Sequence, residues 1–179
     1  MYEFLVGVRH VHFGIRFKTE GHGRRKVNSF TVHFKFSQHF DFPPEVAYRW
    51  CTDYEPGDIK LQGNDGVRKV RWLNEDTVLL TDISFTGTEK KAKRKLVRLY
   101  PERLSWINTR LSAEGRHSQF LYELVAEKKG SRLDFTGSMV FAGRKPSLSK
   151  LGTMAAELVK EDSATWRNLA KAMARDLSG

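Results

Sequence analysis

The chain reads as an α+β domain in which one long C-terminal helix covers a face of an antiparallel sheet, and three observations predict this. Residues Pro146 to Leu177 carry a helical apolar stripe, residues 67–141 carry strand alternation punctuated by hairpin-length turns, and the only other helical pattern is short. On a wheel at 100° per residue, Leu148, Leu151, Ala155, Leu158, Val159, Trp166, Leu169, Ala170, Met173 and Leu177 fall within roughly 120° of arc. Pro146 and Ser147 mark the start, and Ser178-Gly179 ends the pattern, so the helix is about 45 Å long. A helix of that length needs a broad apolar partner, which the strands supply. One residue interrupts the stripe: Asp162, near its centre.

Taken in order, Val11, Phe13, Ile15 and Phe17 alternate with polar residues and predict a strand, and Lys18 to Lys26 is a polar, basic, glycine-bearing linker. Residues 1–28 are therefore expected to be an N-terminal extension, with the domain proper spanning 29–179. Phe30, Val32, Phe34 and Phe36 give a strand with one strongly apolar face. The period then changes. Pro44 suits the first turn of a helix, where its missing N–H has no intrahelical role, and Val46, Ala47, Trp50 and Cys51 form one buried side. Tyr54 to Asp58 stops it. Six strands follow, over Val67–Leu73, Thr77–Phe85, Lys90–Tyr100, Leu104–Leu111, His117–Glu127 and Arg132–Phe141, joined by short polar turns that impose an antiparallel meander.

The chain has 179 residues, enough for one domain with a sizeable core. A single cysteine, Cys51, excludes an intrachain disulfide framework and suits a reducing cytoplasm. No apolar run is long enough to span a membrane, and the N-terminus lacks the order of a secretory signal. Of the net charge of +10, half falls in residues 87–98, where six basic residues stand against one acidic. The stretch Lys90-Arg98 is either a solvated strand whose lysines discourage edge pairing, or a landing patch for transient contact with an anionic membrane surface. The aromatics alternate toward an interior rather than joining the basic stretch, so no nucleic acid is expected as partner. Six histidines, His10, His12, His22, His33, His39 and His117, stand at no diagnostic ligand spacing, and neither a metal nor another cofactor is expected.

The strand Phe30–Phe36, the helix entry Asp41-Phe-Pro-Pro-Glu-Val-Ala-Tyr-Arg-Trp50, the six-strand meander and the terminal helix with Leu158-Val159 and Trp166-Arg-Asn-Leu169 resemble the START/Bet v 1-like superfamily, also called SRPBCC, and within it the polyketide cyclase/dehydrase and lipid-transport group. The resemblance covers about residues 29–177. It implies a helix-grip fold, in which a curved seven-stranded antiparallel sheet wraps the C-terminal helix, with a short helical excursion after the first strand, around an internal hydrophobic cavity. It carries no shared catalytic residues onto this chain.

Strand alternation places Trp106 with Asn108 and Arg110, Phe120 with Tyr122, and Phe135 with Met139 on inward faces, while Asp162 and Trp166 belong to the helix stripe. These nine are the candidate ligand-binding residues. Such a surface of aromatics and a few polar groups suits a small-molecule pocket or an ordinary core. A carboxylate at Asp162 needs water, a ligand or a cationic partner such as a sheet arginine, unless the stripe meets solvent there. The expected function is binding, and in a carrier's role transport, of a hydrophobic or aromatic small molecule or lipid. The alternatives are a cyclase/dehydrase-type enzyme acting on a polyketide-like substrate in the same cavity, with Asp162 or Tyr122 as acid or base, and an interaction module with a filled core.

Overall fold

The computed structural model describes residues 28–178 except 63, 64, 87, 88 and 113. The expected strand Val11–Phe17, the linker after it and His10, His12 and His22 lie outside the described residues. The elements are β1 (Ser29–Phe40), α1 (Pro44–Thr52), α2 (Asp58–Leu61), β2 (Gly66–Asn74), β3 (Thr77–Thr86), β4 (Glu89–Tyr100), β5 (Ser105–Arg110), β6 (Gln119–Ala126), β7 (Ser131–Ala142) and α3 (Leu148–Leu177). The strands form one antiparallel seven-stranded sheet in the order β1-β7-β6-β5-β4-β3-β2. β1 and β2 are thus opposite edges, and α1 and α2 carry the chain from one edge to the other.

Local chemistry sets the element ends. β1 runs four residues past the expected Phe36, because Phe40 continues the apolar face and pairs with Ser131 of β7 while polar Ser37 and His39 point outward. Leu104 is not in a strand. It follows a single 3-10 turn, Pro101–Arg103, and takes a left-handed φ of 47°, so β5 begins at Ser105. His117, at φ 72°, likewise belongs to the turn before β6. α2 is only four residues, too short for a periodic signal, and is held by buried Ile59. The Ser147 hydroxyl caps α3 by accepting a 3.3 Å hydrogen bond from the Lys150 N–H.

The core has two parts, which fix the helix at different points. The larger joins Val78, Leu80, Val97, Leu99, Leu124 and Leu133 of the sheet to Ala47 and Tyr48 of α1 and to fully buried Met173 near the end of α3. Tyr48, outside the expected buried face of α1, turns its ring edge-on to Trp106 at 5.9 Å. In the smaller part Phe34, Phe120 and Phe135 pack against Ala155, Leu158 and Val159. The stripe of α3 is therefore not buried throughout: Leu148 is 82% exposed and Leu177 40%. Between the two contacts lies the turn that carries Asp162.

We propose that residues 29–179 fold as a unit, since every strand of this sheet and the helix across it fall in that range. A fragment beginning at Ser29 should unfold cooperatively with a Tm close to that of the full chain. Loss of a cooperative transition in a thermal melt would place the N-terminal extension inside the fold.

Candidate functional site

Between the concave sheet face and α3 lies a cavity of about 640 Å³, within the range of pockets that enclose small molecules. Trp106, Asn108, Arg110, Phe120, Tyr122 and Met139 from the sheet and Asp162 and Trp166 from α3 all line it. Phe135 does not. At 2% exposure it lies behind the wall, stacked on Phe36 at 4.5 Å and edge-on to Tyr122 at 5.1 Å. It supports the lining rather than presenting a surface.

Three rings build the apolar wall. Trp106 and Tyr122 are register partners across β5 and β6 and stack at 4.9 Å with planes 7° apart. Trp166 comes down from α3 to 6.2 Å from the first ring and 5.5 Å from the second. Each such pair contributes about 1 kcal/mol beyond the area it buries. Burial drives the Tyr122 phenol pKa upward, and the Asp162 charge adds to this, so the ring presents a neutral hydroxyl.

Arg110 stands two residues from Asn108 at the end of β5. Its Nη1 donates to the Glu114 carbonyl at 3.2 Å and lies 3.5 Å from the Met139 sulfur, and the guanidinium sits over the Phe120 ring at 5.5 Å. The turn around it depends on Gly115, at φ 75°, where an added Cβ would come within 2.8 Å of Arg110 Nη1 and of the Met139 methyl. Its buried Nε has no hydrogen-bond partner, and neither does Asn108 Oδ1. Asp162 faces this arginine but makes no hydrogen bond or ion pair among the described residues. Burial raises its carboxyl to about 6, against the lowering influence of Arg110. Asp162 is thus neither paired nor solvated as a surface carboxylate would be.

A second charged group, which strand alternation contained but the reading above did not assemble, adjoins the first across β2, β3 and β4. Arg68 of β2 is 3% exposed and binds Asp82 of β3 through Nε at 2.7 Å and Nη2 at 3.2 Å. It also reaches Gln62 at 3.3 Å and Asp58 at 3.5 Å. Lys95 Nζ takes the second Asp82 oxygen at 2.6 Å. The basic stretch Lys90-Arg98 therefore does not turn all its cations to one side: Lys95 is half-buried, Lys93 lines the cavity, and alternation turns exposed Arg94 and Arg98 the other way. Burial would push the Asp82 carboxyl up, but the Arg68 hydrogen bonds and the Lys95 charge overcome it and hold it below its ordinary value. Lys93 and Lys95 share a face with Val97 and Leu99, and Asp82 with Val78 and Leu80; that period of two was the available signal.

No protein-family model matches the chain, and no curated protein sequence does. Solved structures do. The Zhui aromatase/cyclase from Streptomyces sp. R1128 superposes with a TM-score of 0.66 at 11% identity, covering 83% of this chain and 96% of that one. Ara h 8.0201 gives 0.65 at 12% identity, covering 84% and 100%, and the protein of unknown function SA2116 from Staphylococcus aureus gives 0.68 at 9%, covering 84% and 98%. At these identities the likeness shows the fold, and the chain has the Bet v 1-like helix grip that residues 29–177 resemble.

Two outcomes follow from the charges. Asp82→Ala strands Arg68 and Lys95 and should cost about 3 kcal/mol or more in denaturant unfolding, whereas an exposed lysine change would cost almost nothing. Asp162 carries the opposite sign. Its folded carboxyl, near 6 against an ordinary 3.8, binds its proton more tightly than the unfolded one, so it is neutral to stability below about pH 4 and destabilising above about pH 6. Asp162→Asn should therefore raise stability by roughly 2 kcal/mol at pH 7.5 and by little at pH 4, as read from paired denaturant curves.

Proposed function

We propose that the protein binds a hydrophobic or aromatic small molecule, or a lipid, in the cavity between sheet and α3, with Trp106, Tyr122 and Trp166 against its apolar body and Asn108, Arg110 and Asp162 selecting its polar group. The observation that carries this is the pairing of an aromatic wall with polar atoms that have no protein partner, because a filled core leaves few such atoms unsatisfied. Apolar burial would provide most of the affinity and the polar groups most of the selectivity. The structural likeness to an aromatase/cyclase and to Ara h 8.0201 supports a reading of this kind.

One observation favours an enzymatic variant. A carboxyl that ionises near 6 beside Tyr122 and Arg110 is suited to moving a proton on a bound polyketide-like substrate, as a cyclase or dehydrase requires. Among the described residues no helix is long and apolar enough to cross a membrane. The single cysteine supports a reducing, cytoplasmic setting. Any salt-sensitive contact with an anionic membrane would rest on outward cations such as Arg94 and Arg98.

The test is uptake of a neutral fluorescent dye, Nile red, followed beside native mass spectrometry of the purified protein. Wild type should bind about one dye per chain, and Leu158→Trp, which places a large ring in the lined space, should abolish uptake while keeping the melting transition. A wild type that takes up no dye and carries no co-purifying molecule would leave a filled core as the better reading.

A further inference from the structure

On the strands that wall the cavity the cations outnumber the carboxylates, with Arg68, Lys93, Lys95 and Arg110 against Asp82, while the other carboxylates that line the space, Asp53, Glu55, Asp58, Glu114, Glu161, Asp162 and Asp176, come from the helices and loops. Lys95 and Arg110 are direct register partners across β4 and β5, on the same face. Like charges placed opposite one another weaken a sheet pair. Lys93, the register partner of Asp82, lines the cavity two residues along. Asp82 is already taken by both Arg68 and Lys95, and Asp58 lies against Arg68. Lys93 and Arg110 therefore have no carboxylate bound to them among the described residues, and the buried Nε of Arg110 donates to nothing.

From this juxtaposition we infer that the cavity takes an anionic amphiphile, a small molecule whose flat apolar body lies against Trp106, Tyr122 and Trp166 and whose single carboxylate is received by Arg110, Lys95 and Lys93. The inference rests on the ligand-binding reading above and names the class of ligand. A carboxylate fits better than a doubly charged phosphate, because seven carboxylates, Asp53, Glu55, Asp58, Glu114, Glu161, Asp162 and Asp176, also line the space and would repel a second charge. It would supply the charge-assisted hydrogen bonds that Arg110 lacks. Asp162 would be its main competitor, being the carboxylate whose field, ahead of that of Glu114, already acts on Arg110. Removing that carboxylate should strengthen anion binding, the reverse of what a merely polar lining would do.

The experiment is calorimetric titration of the full chain with two probes of the same shape, naphthylacetate and naphthylacetamide, beside Nile red uptake. Wild type should prefer the carboxylate by about tenfold. Arg110→Gln should bring the two probes within about twofold of each other, Lys93→Gln, a change at an exposed side chain that leaves the fold alone, should reduce the preference about threefold, and Asp162→Asn should widen it. Melting curves establish that each variant is folded. Equal binding of the two probes by wild type, or a preference that survives both Arg110→Gln and Lys93→Gln, would overturn the anionic class while leaving the cavity reading standing. If Nile red and both probes fail to bind, the cavity reading falls and this inference with it.

Discussion

A mismatch of widths governs this structure. Seven strands spaced about 4.8 Å apart make a sheet close to 30 Å across, whereas one helix covers a strip only about 10 Å wide. α3 cannot bury such a face alone. The sheet curves around it, and α1 and α2, crossing from the β1 edge to the β2 edge, cover part of what remains. The aromatic end fills the gap with Phe34, Phe120 and Phe135, and the α1 end with Tyr48, Trp106 and Met173. Between them the cover is incomplete, and there the lining changes from aliphatic to charged.

That change follows from what incomplete cover permits. Arg68 and Asp82 would be expensive inside a sealed core, yet here their fork geometry, shared with Lys95, Asp58 and Gln62, leaves few donors or acceptors without partners. Arg110, Asn108 and Asp162 differ, since each keeps polar atoms that no protein group satisfies. The first group is a structural ion cluster in the wall of the cavity. The second is a set of unsatisfied groups held in place by stiff surroundings, including the Gly115 turn and the Phe120 ring.

The fold was legible because both periodicities ran long: ten apolar positions on one side of α3, and strand after strand alternating between short turns. Where the signal was short, reading failed. Four-residue α2 left no period to find, and the polar Ser37-Gln-His39 hid the end of β1. Eight of the nine candidate residues line one cavity because alternation fixes a face; Phe135 shares that face but lies beneath other side chains, and depth is not encoded by a period of two. The ion cluster escaped for a different reason. Lys95 lies within a run of basic residues, where composition suggests solvent, and its partial burial depends on Asp82, which it meets diagonally across β3 and β4, and on Arg68, the register partner of Asp82 on β2.

The separation of Asp162 from Arg110 also says why the space stays open. Two opposite charges in a half-buried setting attract strongly, and a flexible helix contact would close until they touched. They do not touch, because Trp166 meets the stacked Trp106 and Tyr122 at ring distances of 6.2 and 5.5 Å one turn further along α3. Rings of that size cannot be compressed, and the helix is fixed beyond them by buried Leu169 and Met173. The aromatic wall therefore acts as a spacer, holding the Asp162 carboxyl and the Arg110 guanidinium out of ion-pair contact. What holds the helix on the sheet is also what keeps the polar groups of the cavity available to something other than each other.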